Sequence, residues 1–351
     1  MPSRGLKQAA SAARTPARRK RSSGAITLSD VARLADVSAI TASRAVNSPD
    51  SVAPETLARV REAISRTGYV PNRIAGSLAS SRSRLVAAVV PTITGPFGRS
   101  IEALAAALDQ AGYQVILGQT GYAQSREDAV LEAIISRRPD AIVVTGVVHS
   151  SNVRKRLVAS GIPVVETWDL TRTPVDMVVG FSQQRLGEAV AGYLVAHGRK
   201  QLAVVSADDV PAERRARSFS TAAQRLTGAA DCPVQLIAAP ATVHDGRTGL
   251  AALLEEDPDV DAVFCSSDLI ALGVLIEARA RGVHVPEQLA VVGLGDLDFA
   301  ADLDPALTTV RIDGGAIGRE AAHFIVERVR GNAVEDRILD IGFELVERQS
   351  A

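Results

Sequence analysis

The sequence has few of the residues that build disulfide-rich, metal-binding or membrane-spanning proteins. It contains two cysteines, Cys232 and Cys265, and five histidines, which argues against a disulfide scaffold or a cysteine-rich zinc site. Aromatic residues make up only 3% of the chain, which suits helices packed on parallel sheets better than a β-sandwich. The longest apolar runs, such as Leu85–Pro91, are far shorter than the roughly 18–20 residues that a membrane span needs. We therefore expect no metal, no cofactor and no membrane partner.

Sequence signatures of catalysis are also missing. The chain contains no P-loop, no G-x-S-x-G elbow and no H-E-x-x-H pair. The segment GLGDLD at Gly293–Asp298 superficially resembles a nucleotide-binding loop, but it lacks the third glycine and opens no well-formed helix. We predict that the protein is not an enzyme, and an enzyme is kept as the first alternative.

The N-terminal segment 1–25 is basic, with seven basic and no acidic residues. It has no apolar core, so it is not a secretory signal, although its Arg, Ala and Ser content also fits a transit peptide. The helical pattern that follows argues against a transit peptide, and we expect a cytoplasmic protein. The segment is predicted to be a disordered tail, which either is solvated and inert or contacts phosphates.

Charge is distributed unevenly along the chain, although the formal net charge is only −1. Residues 1–84 carry 15 basic and 5 acidic residues, whereas the remainder carries 24 basic and 35 acidic residues. Clustered cations bind a polyanion by displacing the counterions that are condensed on it. The N-terminal part is therefore expected to bind nucleic acid.

Three short helices are predicted between Ile26 and Gly68. Ser38 is a suitable N-cap for the second helix at Ala39–Val46, and Pro54 begins the third helix in a first-turn position. A short turn at Asp36-Val37 joins the first two helices, which predicts a helix-turn-helix. The first helix has an apolar stripe of Leu28, Val31, Leu34 and Ala35.

The second of these helices is the candidate recognition helix. With Ala42 and Val46 facing a small core, its outward residues are suited to the major groove. Arg44 can pair with guanine or a phosphate, and Asn47 with adenine or a phosphate. A generic helical hairpin with a solvated face is the alternative interpretation. The outward residues are Ala39, Ile40, Ser43, Arg44 and Asn47.

After the segment NRIAGSLAS, short apolar runs alternate with amphipathic helices to the end of the chain. This alternation predicts parallel sheets of the α/β type. About ten strands over some 260 residues are better explained by two similar open sheets than by one. Ligands of such folds bind at the carboxyl ends of the strands, which predicts a cleft between two lobes.

The ordered motifs T-L-x-D-V-A, A-x-V-S-x-x-T-x-S-R-x-x-N and G-Y-x-P-N-x-x-A-x-x-L resemble the DNA-binding headpiece of the LacI/GalR family of bacterial repressors. RRARSF, SSDLIALGV, VVGLGD and DPALTTV continue the resemblance downstream. It implies a small all-α helix-turn-helix headpiece plus an α/β periplasmic-binding-protein-like sensor domain of two doubly wound parallel-sheet lobes. The implied regions are a tail at 1–25, the DNA-binding domain at 26–70, a hinge helix and linker at 71–84, and an effector-binding and dimerisation domain at 85–351. Within the last, the N-lobe would be about 85–181 and 312–335, and the C-lobe about 182–311 and 336–349.

The resemblance also implies which residues bind double-stranded operator DNA. Ala39 and Ile40 occupy the base-reading positions and are apolar here, which implies contact with thymine methyl groups. Asn72–Ser80 would form a hinge helix that folds on operator, with Leu78 as a wedge in the minor groove. The complete predicted set is Thr27, Ser38, Ala39, Ile40, Thr41, Ser43, Arg44, Asn47, Asn72, Arg73, Leu78 and Ala79.

Several sensor phrases, among them GYQVILGQTGY, GIPVVETWD and LDIGFEL, resemble the gluconate-operon repressors, which respond to sugar acids. Arg215 falls at a position that contacts effector oxygens, and a guanidinium suits a carboxylate. Asp268 falls at a position that accepts hydrogen bonds from sugar hydroxyls. Ser182-Gln183 departs from the Asp-Asn common in the family, which bears on effector identity. The predicted effector-binding residues are Thr94, Phe97, Thr145, His149, Glu166, Trp168, Phe181, Arg215, His244 and Asp268.

Two further alternatives concern the ligand and the role. The effector could be a neutral sugar or a nucleoside, with Arg215 bonding a hydroxyl or ring oxygen. The chain could also be a solute-binding protein without a transcriptional role, although that would need an export signal. The chain has no leucine heptad after its last strands, so we expect a homodimer rather than a tetramer.

Overall fold

The computed structural model of the protein describes residues 26–70, 83–93, 95–148 and 150–351. The chain divides into two compact units, Met1–Ser81 and Arg82–Ala351, called here the first and second unit. The predicted tail, the predicted hinge residues Asn72, Arg73, Leu78 and Ala79, and the predicted ligand residues Thr94 and His149 lie outside the described residues.

The described part of the first unit is helical. Helix α1 spans Leu28–Leu34, α2 spans Ala39–Asn47, a 3₁₀ turn spans Pro49–Ser51, and α3 spans Pro54–Thr67. The side chain of Ser38 accepts the N–H of Thr41 at 3.1 Å, as its N-cap role requires. The predicted helix-turn-helix is therefore confirmed, with Ser38 at the N-cap that the sequence indicated.

The core of this unit differs in detail from the predicted stripes. Ala42 and Ala45 are buried on α2, while Val46 is only half-buried. Leu34 on α1 is 43% exposed, and Ala32 is buried instead. The cause is geometric, because a helix this short presents a narrow strip to its neighbours and small side chains allow the closest approach. The core residues that pack together are Val31, Ala35, Ala45, Val60 and Ala63.

The N-lobe of the second unit is built around a six-stranded sheet in which every described strand pair is parallel. The strands follow one another across it in the order Ile338–Asp340, Met177–Gly180, Val164–Thr167, Ala141–Thr145, Leu85–Val90 and Gln114–Gln119. Its strands are nearly continuous apolar runs, because helices cover both faces of such a sheet. In chain order the elements are β1 Leu85–Val90, α4 Phe97–Gln110, β2 Gln114–Gln119, α5 Gln124–Ile135, β3 Ala141–Thr145, α6 Ser151–Ser160, β4 Val164–Thr167 and β5 Met177–Gly180.

The C-lobe repeats this plan. Its six-stranded sheet has the order Glu344–Val346, Thr308–Arg311, Ala290–Leu294, Ala262–Cys265, Leu202–Ala207 and Val234–Ile237. Of its described strand pairs, only the one formed by the edge strand Glu344–Val346 is antiparallel. Its elements are α7 Gln183–Ala196, β6 Leu202–Ala207, α8 Val210–Thr227, β7 Val234–Ile237, α9 Val243–Glu256, β8 Ala262–Cys265, α10 Asp268–Arg281, β9 Ala290–Leu294, a 3₁₀ turn Asp298–Ala301 and β10 Thr308–Arg311. The chain then returns through α11 Gly314–Arg330, β11 Ile338–Asp340 and β12 Glu344–Val346.

One predicted lobe boundary needs correction. The resemblance implies that 336–349 belongs to the C-lobe, but Ile338–Asp340 pairs in parallel with Met177–Gly180 of the N-lobe sheet. Only Glu344–Val346 joins the C-lobe, next to β10. The last passage of the chain from the N-lobe to the C-lobe therefore falls between Asp340 and Glu344. Strands of three residues have too few side chains to show a periodic pattern, so the sequence does not indicate that these two strands belong to different lobes.

The helices of the N-lobe pack closely because of a glycine at their contact. A Cβ placed on Gly318 of α11 would lie 2.3 Å from the carbonyl oxygen of Ser100 on α4. Only glycine permits this approach. Over the described ranges, the structure contains no helix that is long and apolar enough to cross a membrane.

Candidate functional site

Helix α2 presents the predicted DNA-binding residues on one side. Ser38, Ala39, Arg44 and Asn47 are exposed, and Ile40 is 68% exposed. Thr41 and Ser43 are half-buried beside them, and the Asn47 amide donates to the Ser43 hydroxyl at 3.3 Å. An apolar side chain that is exposed to this degree, among hydrogen-bonding groups, is suited to contact with base methyl groups. Thr27 lies at the N-cap of α1, where its hydroxyl is paired with Asp30.

The second unit contains a cavity of about 300 Å³ between its two lobes. The carboxyl ends of strands from both sheets and the first turns of the following helices form its walls. Five of the predicted ligand residues line it, namely Phe97, Thr145, Trp168, Phe181 and Arg215. This location is the one expected for a ligand site in open α/β sheets.

An aromatic wall forms one side of the cavity. Trp168 contacts Phe97 edge-on with ring centroids 4.9 Å apart, and it contacts Phe181 edge-on at 6.2 Å. The Trp168 indole N–H donates to the Ser100 hydroxyl at 3.2 Å. The backbone of Trp168 has a φ of +68°, which is strained for a bulky side chain and is typical of functional sites.

Arg215 of α8 is the buried cation of the cavity. It is 7% exposed, and its Nη1 donates to the Gln183 side-chain oxygen at 2.6 Å. Its Nη2 reaches the Ser266 carbonyl oxygen at 3.5 Å, and its Nε has no hydrogen-bond partner. Burial lowers the pKa of this guanidinium, and the charges of Asp209 and Asp169 act in the opposite direction. No carboxylate of the described residues forms an ion pair with it, so its positive charge has no directly bonded counter-ion.

Three other predicted ligand residues do not line the cavity. Glu166 is fully buried, and its carboxylate accepts the N–H groups of Val148 at 2.8 Å and Val175 at 2.7 Å. Burial raises the pKa of Glu166, while these two backbone hydrogen bonds lower it. It therefore holds two loops of the N-lobe. His244 is an exposed residue in the first turn of α9.

Asp268 is the third, and it is enclosed in the protein interior. It is 0% exposed. One carboxylate oxygen accepts the Thr309 hydroxyl at 2.6 Å, and the other accepts the Leu297 N–H at 2.7 Å. Burial raises its pKa to about 6. Both oxygens are engaged within the protein, so the structure assigns Asp268 to holding the loop after β9.

Sequence reasoning missed several polar residues of the cavity. Glu127, Asp209 and Tyr122 line it. Burial raises the pKa of Tyr122, and the nearby Asp209 carboxylate raises it further. Burial also raises the pKa of Glu127, with a smaller contribution from Asp128. Their positions beyond the carboxyl ends of β2 and β6 could have indicated them. Among the described residues, no group of three His, Cys, Asp or Glu side chains is arranged to hold a metal ion.

Comparison with known proteins gives the family of these two units. Residues 27–72 match the description "Bacterial regulatory proteins, lacI family", and residues 191–351 match "Periplasmic binding protein-like domain". The chain is 39% identical, over 94% of its length and 97% of the relative, to the HTH-type transcriptional regulator GntR of Pseudomonas aeruginosa. The chain belongs to the LacI family of bacterial transcriptional regulators.

Other relatives and solved structures agree with this LacI-family assignment. GntR of Escherichia coli is 28% identical over 91% of this chain and 96% of its own. A LacI-family regulator from Silicibacter pomeroyi superposes with a TM-score of 0.87, at 30% identity over 93% of this chain and 99% of its own. The regulator GntR from Chromobacterium violaceum gives 0.72, at 31% identity over 76% and 98%. The predicted family, fold class and absence of enzymatic activity are confirmed, and the chain is a DNA-binding transcriptional regulator.

Proposed function

We propose that this LacI-family regulator is a cytoplasmic, homodimeric repressor that a sugar acid such as gluconate releases from a near-palindromic operator. The observation that carries the proposal is Arg215. A buried guanidinium with a free Nε and no paired carboxylate is costly to the folded protein. A carboxylate that enters the cavity supplies the missing partner, and a guanidinium can bind it through two hydrogen bonds.

The rest of the cavity is suited to the polyol portion of such a ligand. The carboxylates of Glu127 and Asp209 accept hydrogen bonds, and hydroxyl groups donate them. The Trp168 wall offers an apolar surface to carbon-bound hydrogens of the ligand chain. A molecule with an anionic head and several hydroxyl groups therefore matches both polar regions. The resemblance of the sensor phrases to gluconate-operon repressors supports the same ligand class.

On the DNA side, Ile40 and Ala39 read bases through apolar contact, and Arg44 reads a guanine. Two subunits would place two copies of α2 in successive major grooves of one operator. The ligand lowers operator affinity because it binds more tightly to the conformation of the protein that has the lower affinity for operator. The sign is part of the proposal, since a corepressor would bind the docking form instead.

The test is a titration of the full chain bound to a labelled fragment of its own upstream DNA. Gluconate should release the fragment, and the uncharged hexitol of equal chain length should not. Arg215→Ala should still bind the fragment but lose the response to gluconate, because two charged hydrogen bonds are lost, and the gluconate affinity falls by roughly 100-fold or more. Arg215→Lys should respond partly, since it keeps the charge without the planar fork.

The matched control is Arg217→Ala, which removes an exposed arginine two residues away on the same helix. It should leave release by gluconate unchanged. If the hexitol releases DNA as well as gluconate does, the effector is a neutral sugar or nucleoside and the sugar-acid proposal is wrong. If the fragment is not bound at all, the repressor role at this operator is wrong.

A further inference from the structure

Gln183 is the residue that joins the buried cation of the C-lobe to the aromatic wall of the N-lobe. It is the first residue of α7 and is 2% exposed. Its side-chain oxygen accepts the Nη1 of Arg215 at 2.6 Å, and its side-chain nitrogen donates to the Trp168 carbonyl oxygen at 2.8 Å. Both ends of this one amide are therefore engaged, each with a different lobe.

The amide orients Arg215 without neutralising it. A carboxylate at this position would form a buried ion pair and satisfy the guanidinium permanently. A neutral oxygen fixes one N–H direction of Arg215 and leaves its positive charge for a ligand. The described residues contribute no other side-chain acceptor to this guanidinium, since its second contact is the Ser266 backbone carbonyl.

We propose that Gln183 sets the charge of the effector: as a neutral acceptor it holds Arg215 in place and thereby selects an anionic ligand over a neutral one. It is a specificity-determining and positioning residue. The inference rests on the proposed function, because it assumes that the cavity takes the effector. It goes further by assigning the charge preference to one residue, the neutral amide that contacts Arg215.

Three substitutions separate charge from shape. Gln183→Glu supplies a carboxylate at the same distance from Arg215. Gln183→Met keeps the approximate length but removes both polar ends. Gln184→Glu is the matched control, because it adds the same charge at an exposed neighbour whose side chain contacts Glu188 on the surface.

Binding is measured on the free, full-length protein with gluconate and with the uncharged hexitol. The fluorescence of Trp168 reports binding, since it is the single tryptophan of the chain and lines the cavity. Wild type and Gln184→Glu should prefer gluconate equally. Gln183→Met should weaken gluconate more than the hexitol and reduce the preference only in part, because Arg215 keeps its charge but loses the acceptor that holds it. In Gln183→Glu the affinity for gluconate should fall by roughly 10- to 100-fold, as expected for a lost charged hydrogen bond, while the hexitol changes much less.

A carboxylate in place of the amide also faces the Trp168 carbonyl oxygen, so Gln183→Glu could fail to fold. Gln183→Asp is therefore added as a second carboxylate variant. Its shorter side chain lies farther from that carbonyl oxygen and still adds a negative charge near Arg215. A preference for gluconate that survives in a folded carboxylate variant overturns the proposal. So does a failure of both carboxylate variants to fold when Gln183→Met folds, since Arg215 then does not accept an added anion. If wild type itself shows no preference for gluconate, the sugar-acid proposal fails first, and the two failures are distinguishable.

Discussion

Asp268→Asn should stabilise the second unit at neutral pH. The wild-type carboxyl is 0% exposed and accepts hydrogen bonds from Thr309 and Leu297. Asparagine has nearly the same shape. Its oxygen can accept the Leu297 N–H, and its NH₂ group can donate to the Thr309 hydroxyl, which then accepts. The substitution therefore removes a buried charge while the contacts of this side chain with Thr309 and Leu297 are kept.

The size of the effect follows from the pKa of Asp268. Burial raises this pKa from 3.8 in the unfolded chain to about 6 in the folded protein. The folded protein then binds more protons than the unfolded chain between these values, so the stability that Asp268 contributes is lost as the pH rises through about 6. A pKa difference of this size corresponds to about 3 kcal/mol of unfolding free energy over the whole titration, at about 1.4 kcal/mol for each unit of pKa difference. Between pH 5 and pH 8 alone, the wild type should lose about 1.4 kcal/mol that the variant keeps.

The assay is urea unfolding of wild type and Asp268→Asn at pH 5, 6, 7 and 8. The free energy of unfolding of the variant minus that of wild type should increase over this range. Asp302→Asn, which changes an exposed carboxyl on the loop after β9 that Asp268 contacts, should leave the free energy of unfolding close to wild type. A difference that stays constant with pH would show that Asp268 is not a buried titrating group. A variant that is less stable at pH 8 would show that the hydrogen-bond exchange with Thr309 does not occur.

Three further predictions test packing and DNA binding. Gly318→Ala should lower the free energy of unfolding by roughly 1–3 kcal/mol, because its Cβ would lie 2.3 Å from the Ser100 carbonyl oxygen. The control is Gly192→Ala on α7, where the added Cβ has no atom within 4 Å. It should raise the free energy of unfolding slightly in the same assay. Leu78→Ala should weaken operator binding in a titration and leave gluconate affinity unchanged, since a minor-groove wedge touches only DNA; unchanged operator affinity would remove Leu78 from the mechanism. Deletion of residues 1–25 should make the dependence of operator affinity on salt shallower if its cations contact phosphates, and an identical slope would exclude that contact.

The headpiece was predictable because local chemistry determines it. Ser38, Pro54 and Gly68 each act at a helix end as the sequence indicated. Thr27, which was predicted only as a DNA-binding residue, is the N-cap of α1. The errors concern which side chains the helices bury, as at Val46 and Leu34. That choice depends on how three helices meet, and no single helix contains this information.

The ligand cavity was only partly predictable, for a related reason. Arg215 and Trp168 could be placed because ordered motifs fix their register. Asp268 and Glu166 are also close to strand ends. Sequence position alone does not distinguish a carboxylate that faces a ligand from one that accepts backbone N–H groups. The difference comes from loops that fold back over the strand, such as the Leu297 N–H on Asp268. Gln183 was visible only as a departure from a pattern, and its role required the distance to Arg215.

The proposed effect of the ligand on operator affinity has a measurable consequence for ligand affinity. If gluconate lowers operator affinity by some factor, operator must lower gluconate affinity by the same factor, because both quantities describe one coupling free energy. Trp168 fluorescence gives the gluconate affinity of the free protein, and the same titration with saturating operator gives that of the complex. Operator titrations with and without gluconate give the other pair of affinities. Equal ratios are expected. Unequal ratios would show that gluconate acts through another equilibrium, such as dissociation of the dimer, and the mechanism proposed for release would be wrong.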